Sequence, residues 1–245
     1  IEKHMERLVC SASLIKLSIP DKKFIQDAVY ATLTANKLSD AYVRVTVSRG
    51  KGPIGLDISL CNKPTFVVIA EKFTNYSESC YREGTRLILA KTRRNITEAL
   101  NPKIKSLNFL NNILAKIEAK EKDAHEALML NVDGFIAEGT VSNVFFVKDR
   151  VLCTPSEDTG ILAGITREVI INLAGREGIK VHKGMFYPSD LFDSTEVFFT
   201  NTSSEVMPVS RVDDVKFEIG EITRALQKLY KEEVMAYINK NKSNR

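Results

Sequence analysis

Several short stretches of the sequence carry side chains suited to amine, acid and phosphate chemistry. Lys105 lies in Lys103-Ile104-Lys105-Ser106-Leu107-Asn108, after a short extended stretch and before a helix. Flanked by Ile104 and Leu107, its amine is a candidate for desolvation, which lowers an amine pKa and frees it to form a Schiff base. Glu138, in Ile136-Ala137-Glu138-Gly139-Thr140, ends a strand at a glycine turn where a cleft could hold its carboxylate. Leu162-Ala163-Gly164-Ile165-Thr166 leads directly into a helix. The first N–H groups of a helix have no intrahelical acceptor, so that end suits a phosphate, aided by the dipole and the Thr hydroxyl. Asn201-Thr202-Ser203-Ser204 follows a strand and is a second place where amides and hydroxyls can converge on an anion. Taken alone, each turn reads as an ordinary cap and Glu138 as a structural residue; joined to an Arg, the two turns would make a phosphate cup.

Other chemistries find no footing. His4, His125 and His182 have no metal-ligand spacing and no GxSxG or Cys partner, so no metal site is expected and they read as surface or packing residues. Gly50-Lys51-Gly52-Pro53-Ile54-Gly55 lacks the order of a P-loop or a dinucleotide fingerprint. Cys10, Cys61, Cys80 and Cys153 stand far apart without a CxxC pair and read as reduced thiols. The net charge of +4 is spread through alternating acids and bases, so nucleic acid is not an expected partner. The densest basic stretch, Lys240, Lys242 and Arg245, reads as a solvated tail. No apolar run approaches the roughly 18 residues of a membrane span, and no signal-peptide h-region opens the chain. The expectation is a soluble, cytoplasmic protein without a membrane partner.

The elements that would position these residues read as a mixed α+β order in two domains. A helix spans Glu2 to Ser13, and Ser18-Ile19-Pro20-Asp21 starts a second that carries Phe24, Ile25, Val29 and Leu33 at helical spacing. Ala41 to Ser48 and Thr65 to Ala70 read as strands, the second buried on both faces by its continuous apolar pattern. The polar stretch 74–79 is expected to link a small domain, 1–73, to a larger one, 80–245. There, Thr85 to Ala90 is a strand, and Leu107, Leu110, Leu114 and Ile117 mark an amphipathic helix. Ala127 to Leu130, Phe135 to Ala137, Val141 to Val147 and Val151 to Thr154 read as a meander. Helices from Thr166 to Arg176 and from Glu221 to Ile238 enclose a strand, Glu196 to Thr200.

The ordered motifs Lys105-Ser106-Leu107-Asn108, Ala137-Glu138-Gly139-Thr140-Val141-Ser142-Asn143-Val144-Phe145, Gly164-Ile165-Thr166-Arg167 and Thr200-Asn201-Thr202-Ser203-Ser204-Glu205 resemble the signature of class IV aminotransferases. These are the fold-type IV pyridoxal-phosphate enzymes: branched-chain aminotransferase, D-amino-acid aminotransferase and aminodeoxychorismate lyase. The resemblance runs from His4-Met5-Glu6-Arg7-Leu8 to the last helix and implies a small α/β domain and a larger one with a mixed, barrel-like sheet. It implies that Lys105 forms the internal aldimine, with Lys103 a decoy. Glu138 would keep the pyridine nitrogen protonated, which makes the ring an electron sink. Arg7, Ile165, Thr166, Thr202 and Ser203 would hold the phosphate, and Leu162 would pack on the ring face.

The implied reaction is ping-pong transamination through the Lys105 Schiff base, most like that of branched-chain L-amino acids with 2-oxoglutarate. Alternatives on the same scaffold are aminodeoxychorismate lyase and D-amino-acid aminotransferase, and a different class altogether is a binding protein that has lost catalysis. Ala41-Tyr42-Val43-Arg44 resembles the branched-chain enzymes, whereas Ser48-Arg49-Gly50 resembles the loop that supplies a substrate Arg in the other two. Arg44, Arg49 and Ser204 are the substrate-contact candidates. Two arginines at an odd spacing on one strand point to opposite faces, so one of them reaches the pocket. Phe109, where branched-chain enzymes commonly place a Tyr nearby, and Asn201, where many have Gly, depart from the pattern. The resemblance further implies a homodimer, and a small domain whose first strands precede Ile1.

Overall fold

The computed structural model describes residues 1–242. Arg245 and the side chain of Lys242, from the basic C-terminal stretch, lie outside what is described. Contacts divide the chain into two compact units: Ile1–Asn75 with Ile104–Ser106, and Tyr76–Lys103 with Leu107–Arg245. Lys105 therefore groups with the smaller unit, although the residues on either side of its short segment group with the larger.

In the smaller unit, helices α1 (Glu2–Leu14) and α2 (Lys22–Ala35) precede an antiparallel pair, β1 (Ala41–Ser48) and β2 (Thr65–Lys72). Helix α2 starts where the sequence places it, because the Asp21 side chain accepts from the Phe24 N–H at 2.8 Å. Such a cap stabilises a helix by about 1 kcal/mol. Ile25 and Val29 are buried, and Phe24 meets Phe66 of β2 edge-on at 5.7 Å. The expectation that β2 is buried on both faces is overturned. Its residues alternate between half-buried and exposed, with Val67 and Ile69 on the open side. A two-stranded ribbon packs one face on α2, and the other is left to the apolar residues of opposite parity.

The larger unit opens with α3 (Glu78–Glu83), β3 (Thr85–Leu89), α4 (Leu110–Glu121), β4 (Glu126–Leu130), β5 (Ile136–Gly139) and β6 (Asn143–Lys148). It continues with β7 (Val151–Pro155), α5 (Ile165–Arg176), β8 (Val181–Gly184), α6 (Pro188–Phe192), β9 (Glu196–Asn201), β10 (Glu205–Val212), β11 (Val215–Lys216) and α7 (Glu221–Lys242). Its mixed sheet has the order β5-β4-β3-β10-β9-β6-β7-β8, with β11 on β10, and is curled in the barrel-like manner expected. Strand pleat sorts the side chains. Phe146, Phe199, Met207 and Val209 fill the core on one face, whereas Phe145, Phe198 and Val206 pack with α5 and α7.

Two expectations fail here for physical reasons. The strands β4 to β7 do not form a meander, because among the described residues β5 pairs with β4 alone while β6 pairs with β7 and β9. The connection after Glu138 is shaped by buried Glu126, whose carboxylate accepts from Thr140 N at 3.2 Å, Thr140 Oγ1 at 2.5 Å and Ser142 Oγ at 3.2 Å. The turn is closed by Gly139 N–H donating to Ser142 O at 2.8 Å, yet β6 then runs between β7 and β9 rather than beside β5. Likewise, α4 packs on the sheet through Ala115 and Ala119, and its larger apolar residues point outward. Alanines permit close approach of the helix to the strands, which leaves Leu110, Ile113, Leu114 and Ile117 exposed.

Candidate active site

Glu138 is the best-defined site residue in the larger unit. At the end of β5 it is buried, and each oxygen is engaged differently. Oε1 lies 2.8 Å from Arg94 Nε; the N–H is not aimed along that contact, so the pair is an ionic contact rather than a hydrogen bond. Oε2 accepts from Leu162 N at 2.9 Å and from Asn143 Nδ2 at 3.3 Å. The same Asn143 amide donates to Leu162 O at 2.9 Å. Glu138, Leu162 and the turn into α5 are thus brought together around one asparagine.

Helix α5 begins at Ile165 with Gly164 as N-cap and no side-chain cap, so its first N–H groups are not taken by a capping side chain. Thr166 is buried, and burial pushes the Tyr230 hydroxyl of α7 up. Arg167 anchors the helix by donating to Thr154 Oγ1 at 3.2 Å and Pro155 O at 2.8 Å. The second turn is tied to this region through the sheet, because Asn143 of β6 is directly opposite Thr200 of β9. Asn201 Oδ1 accepts from Ser203 N at 2.8 Å and Ser204 N at 2.7 Å. Those two amides are therefore satisfied within the turn. Thr202 is exposed, and the buried hydroxyls of Thr200 and Ser204 have no hydrogen-bond partner among the described residues.

In the smaller unit, Lys105 N–H donates to Ser11 Oγ of α1 at 3.0 Å, which fixes the lysine's backbone to the helix that carries Arg7. Burial pushes the Arg7 guanidinium below its ordinary value. His4 is exposed, in keeping with a surface residue. Partial burial of the ring first, then the positive charges of Arg7 and Lys105, push its imidazole down to about 4. Arg7 and Lys105 therefore share one electropositive neighbourhood. Lys103 belongs to the larger unit and lies 3.5 Å from Glu157 Oε2.

The two candidate substrate arginines separate. Arg49 donates to the backbone carbonyl of Lys16 at 3.0 Å and to that of Ile15, at the end of α1. Arg44 is exposed, and its guanidinium has no ionic or hydrogen-bonding partner among the described residues.

Residues 1–212 match the family described as amino-transferase class IV. The chain belongs to that family. A Methanocaldococcus jannaschii relative, provisionally named a branched-chain-amino-acid aminotransferase, is 41% identical over 95% of this chain and 81% of its own length. The aminodeoxychorismate lyase of Bacillus subtilis is 34% identical, over 96% of this chain and 81% of that protein. The T.th. branched-chain amino acid aminotransferase complexed with N-(5'-phosphopyridoxyl)-L-glutamate has a TM-score of 0.89 and 30% identity, covering 96% of this chain and 78% of that one. The protein is a class IV, fold-type IV enzyme, most like the branched-chain aminotransferases, and its cofactor is pyridoxal 5′-phosphate.

The residues of this class IV enzyme fit that cofactor. A buried acid compensated by an arginine suits a protonated ring nitrogen, and uncapped helix N–H groups suit a phosphate. The orphaned hydroxyls of Thr200 and Ser204 flank a turn with donors to spare. Arg94, Asn143 and Ser11 were not assigned roles from the sequence. Asn143 stands inside the Glu138 motif, which was a signal; nothing local in Thr92-Arg93-Arg94-Asn95 distinguishes Arg94 from its neighbour.

Proposed function

We propose that this enzyme transaminates branched-chain L-amino acids against 2-oxoglutarate by a ping-pong mechanism, with Lys105 as the amine that carries the cofactor. The engagement of Arg49 carries the substrate reading. Its guanidinium is held by the Ile15 and Lys16 carbonyls, which leaves Arg44 as the arginine available to a substrate. Arg44 is paired across the ribbon with Ile69, and Thr46 of the same face is paired with Val67. A guanidinium beside exposed aliphatic side chains suits a ligand with a carboxylate and a branched apolar side chain. The glutamate adduct in the T.th. enzyme supports 2-oxoglutarate as the second acceptor.

Pyridoxal phosphate supplies an aldehyde that condenses with amines and a ring that withdraws the electrons left at the substrate α-carbon. The protein's residues do the positioning. Arg7, Ile165, Thr166, Thr202 and Ser203 would hold the phosphate, Leu162 would cover the ring face, and Glu138 would keep the proton on the ring nitrogen. Lys105 Nζ would take the proton from the substrate α-carbon and hold it for redelivery. Arg44 would hold the substrate carboxylate, and the Ser204 hydroxyl would be a second substrate contact. The first product leaves before the second oxo acid binds, which gives ping-pong kinetics.

The working form we propose is a cytoplasmic homodimer. The outward apolar stripe of α4 is the kind of surface a second copy covers, and the free thiols of Cys10, Cys61, Cys80 and Cys153 suit a reducing compartment. No helix among the described residues is long and apolar enough to cross a membrane. Assaying L-leucine, D-alanine and aminodeoxychorismate in parallel tests the activity. Turnover of L-leucine with 2-oxoglutarate is expected; turnover of either of the other two alone would refute the proposal.

A further inference from the structure

We infer that Asn143 is the positioning residue of the cofactor site, setting the Glu138 carboxylate and the Leu162–Gly164 turn with one side-chain amide. The inference rests on the reading that Glu138 and Leu162 face the cofactor ring. Asn143 is buried, and its Nδ2 group donates both to Glu138 Oε2 at 3.3 Å and to Leu162 O at 2.9 Å. Because both partners are acceptors, the amide has only one orientation that satisfies them. Leu162 N–H returns a bond to the same Glu138 oxygen at 2.9 Å, which closes a cycle of acid, turn and asparagine. A cycle of this kind fixes the direction of Oε2 more tightly than either bond alone.

The other end of the amide explains a glycine. Gly164 has φ −71 and ψ 138, an extended conformation open to any residue, so its backbone does not call for glycine. A Cβ there would overlap Asn143 Oδ1 and come 3.2 Å from its Cγ. The turn that enters α5 thus lies against the asparagine at a distance only glycine permits. Through its pairing with Thr200, Asn143 also sits beside the strand that enters the 201–204 turn. One side chain therefore registers the ring acid and the helix N-terminus on the strand pair that ends in the second turn.

The test uses enzyme reconstituted with pyridoxal phosphate labelled with 15N in the ring, and reads the ring-nitrogen resonance and the cofactor Kd. In Glu138→Gln the resonance moves toward its unprotonated position. Asn143→Ala moves it in the same direction and weakens cofactor binding roughly tenfold, as loss of a hydrogen bond to a charged group would. Gly164→Ala weakens binding in the otherwise unchanged enzyme and has no further effect in the Asn143→Ala background. If the alanine variant does not fold, Asn143→Ser, which keeps a donor without the reach, carries the same expectations. Additive effects of the 143 and 164 substitutions would overturn the inference. So would an unshifted resonance in Asn143→Ala alongside a shifted one in Glu138→Gln. An unshifted resonance in Glu138→Gln refutes the reading of Glu138, and the 143/164 pair still decides the coupling.

Discussion

Arg94 Nε lies 2.8 Å from Glu138 Oε1, with the two side chains only 10% and 7% exposed. An acid buried this deeply needs its counter-charge, and removal of one partner from a buried pair costs about 3–5 kcal/mol. Arg94→Met is expected to lower unfolding stability by about 3 kcal/mol in urea titration. The Arg94→Met/Glu138→Gln double variant should lose less than the sum of the single ones. Simple additivity would mean that the two groups are not coupled.

Arg49 braces the end of α1, where Lys16 adopts φ 52. A non-glycine residue in that region is strained, and two carbonyls accepting from one guanidinium help to hold it. Arg49→Ala should cost about 1–3 kcal/mol of stability while leaving the kcat/KM for L-leucine near the parent value. Arg44→Ala should do the reverse, with a roughly 10- to 100-fold fall in kcat/KM and an unchanged Tm. The opposite pattern would point to the D-amino-acid or lyase type of substrate site.

His4 ties stability to pH. Its folded pKa is pushed from 6.5 down to about 4, so the folded state binds this proton less readily than the unfolded chain does. The stability is fully present above pH 6.5, is lost as pH falls from there, and the loss levels off below about 4. His4 is exposed, so solvent screens much of the effect. His4→Gln should flatten the decline in Tm between those limits, and an unchanged decline would assign it to other groups.

The apolar stripe of α4 predicts assembly. Leu110 and Ile113 are 66% and 53% exposed, more than a solvated helix face needs. Sedimentation should give a dimer for the parent chain and a monomer for Ile113→Glu. A monomeric parent would contradict the homodimer.

Much of this fold was legible because its elements have clean periods: β1 is bounded as the sequence predicts, and Asp21 marks the start of α2. The curled sheet is less so, since strand order depends on contacts distant in sequence, and the Glu126 cage that diverts the chain after Glu138 leaves no periodic trace. Apolar spacing on α4 identified a helix but not which side it buries, because Ala115 and Ala119 make the close contact. For the candidate site, ordered motifs drew attention to Lys105, Glu138 and the two turns. Arg94 was invisible, as its partner is far along the chain. The fate of Arg49 depended on where α1 ends in space, which strand alternation alone cannot supply.

The central claim, that Lys105 carries the cofactor and moves the substrate proton, is tested most directly by borohydride reduction of the reconstituted enzyme followed by peptide mass analysis. The expected result is the pyridoxyl mass on the peptide at Lys105 and none at Lys103, which lies 3.5 Å from Glu157. In parallel, Lys105→Ala should produce no 2-oxo acid from L-leucine. Fixation at Lys103, or turnover that survives loss of Lys105, would overturn that assignment.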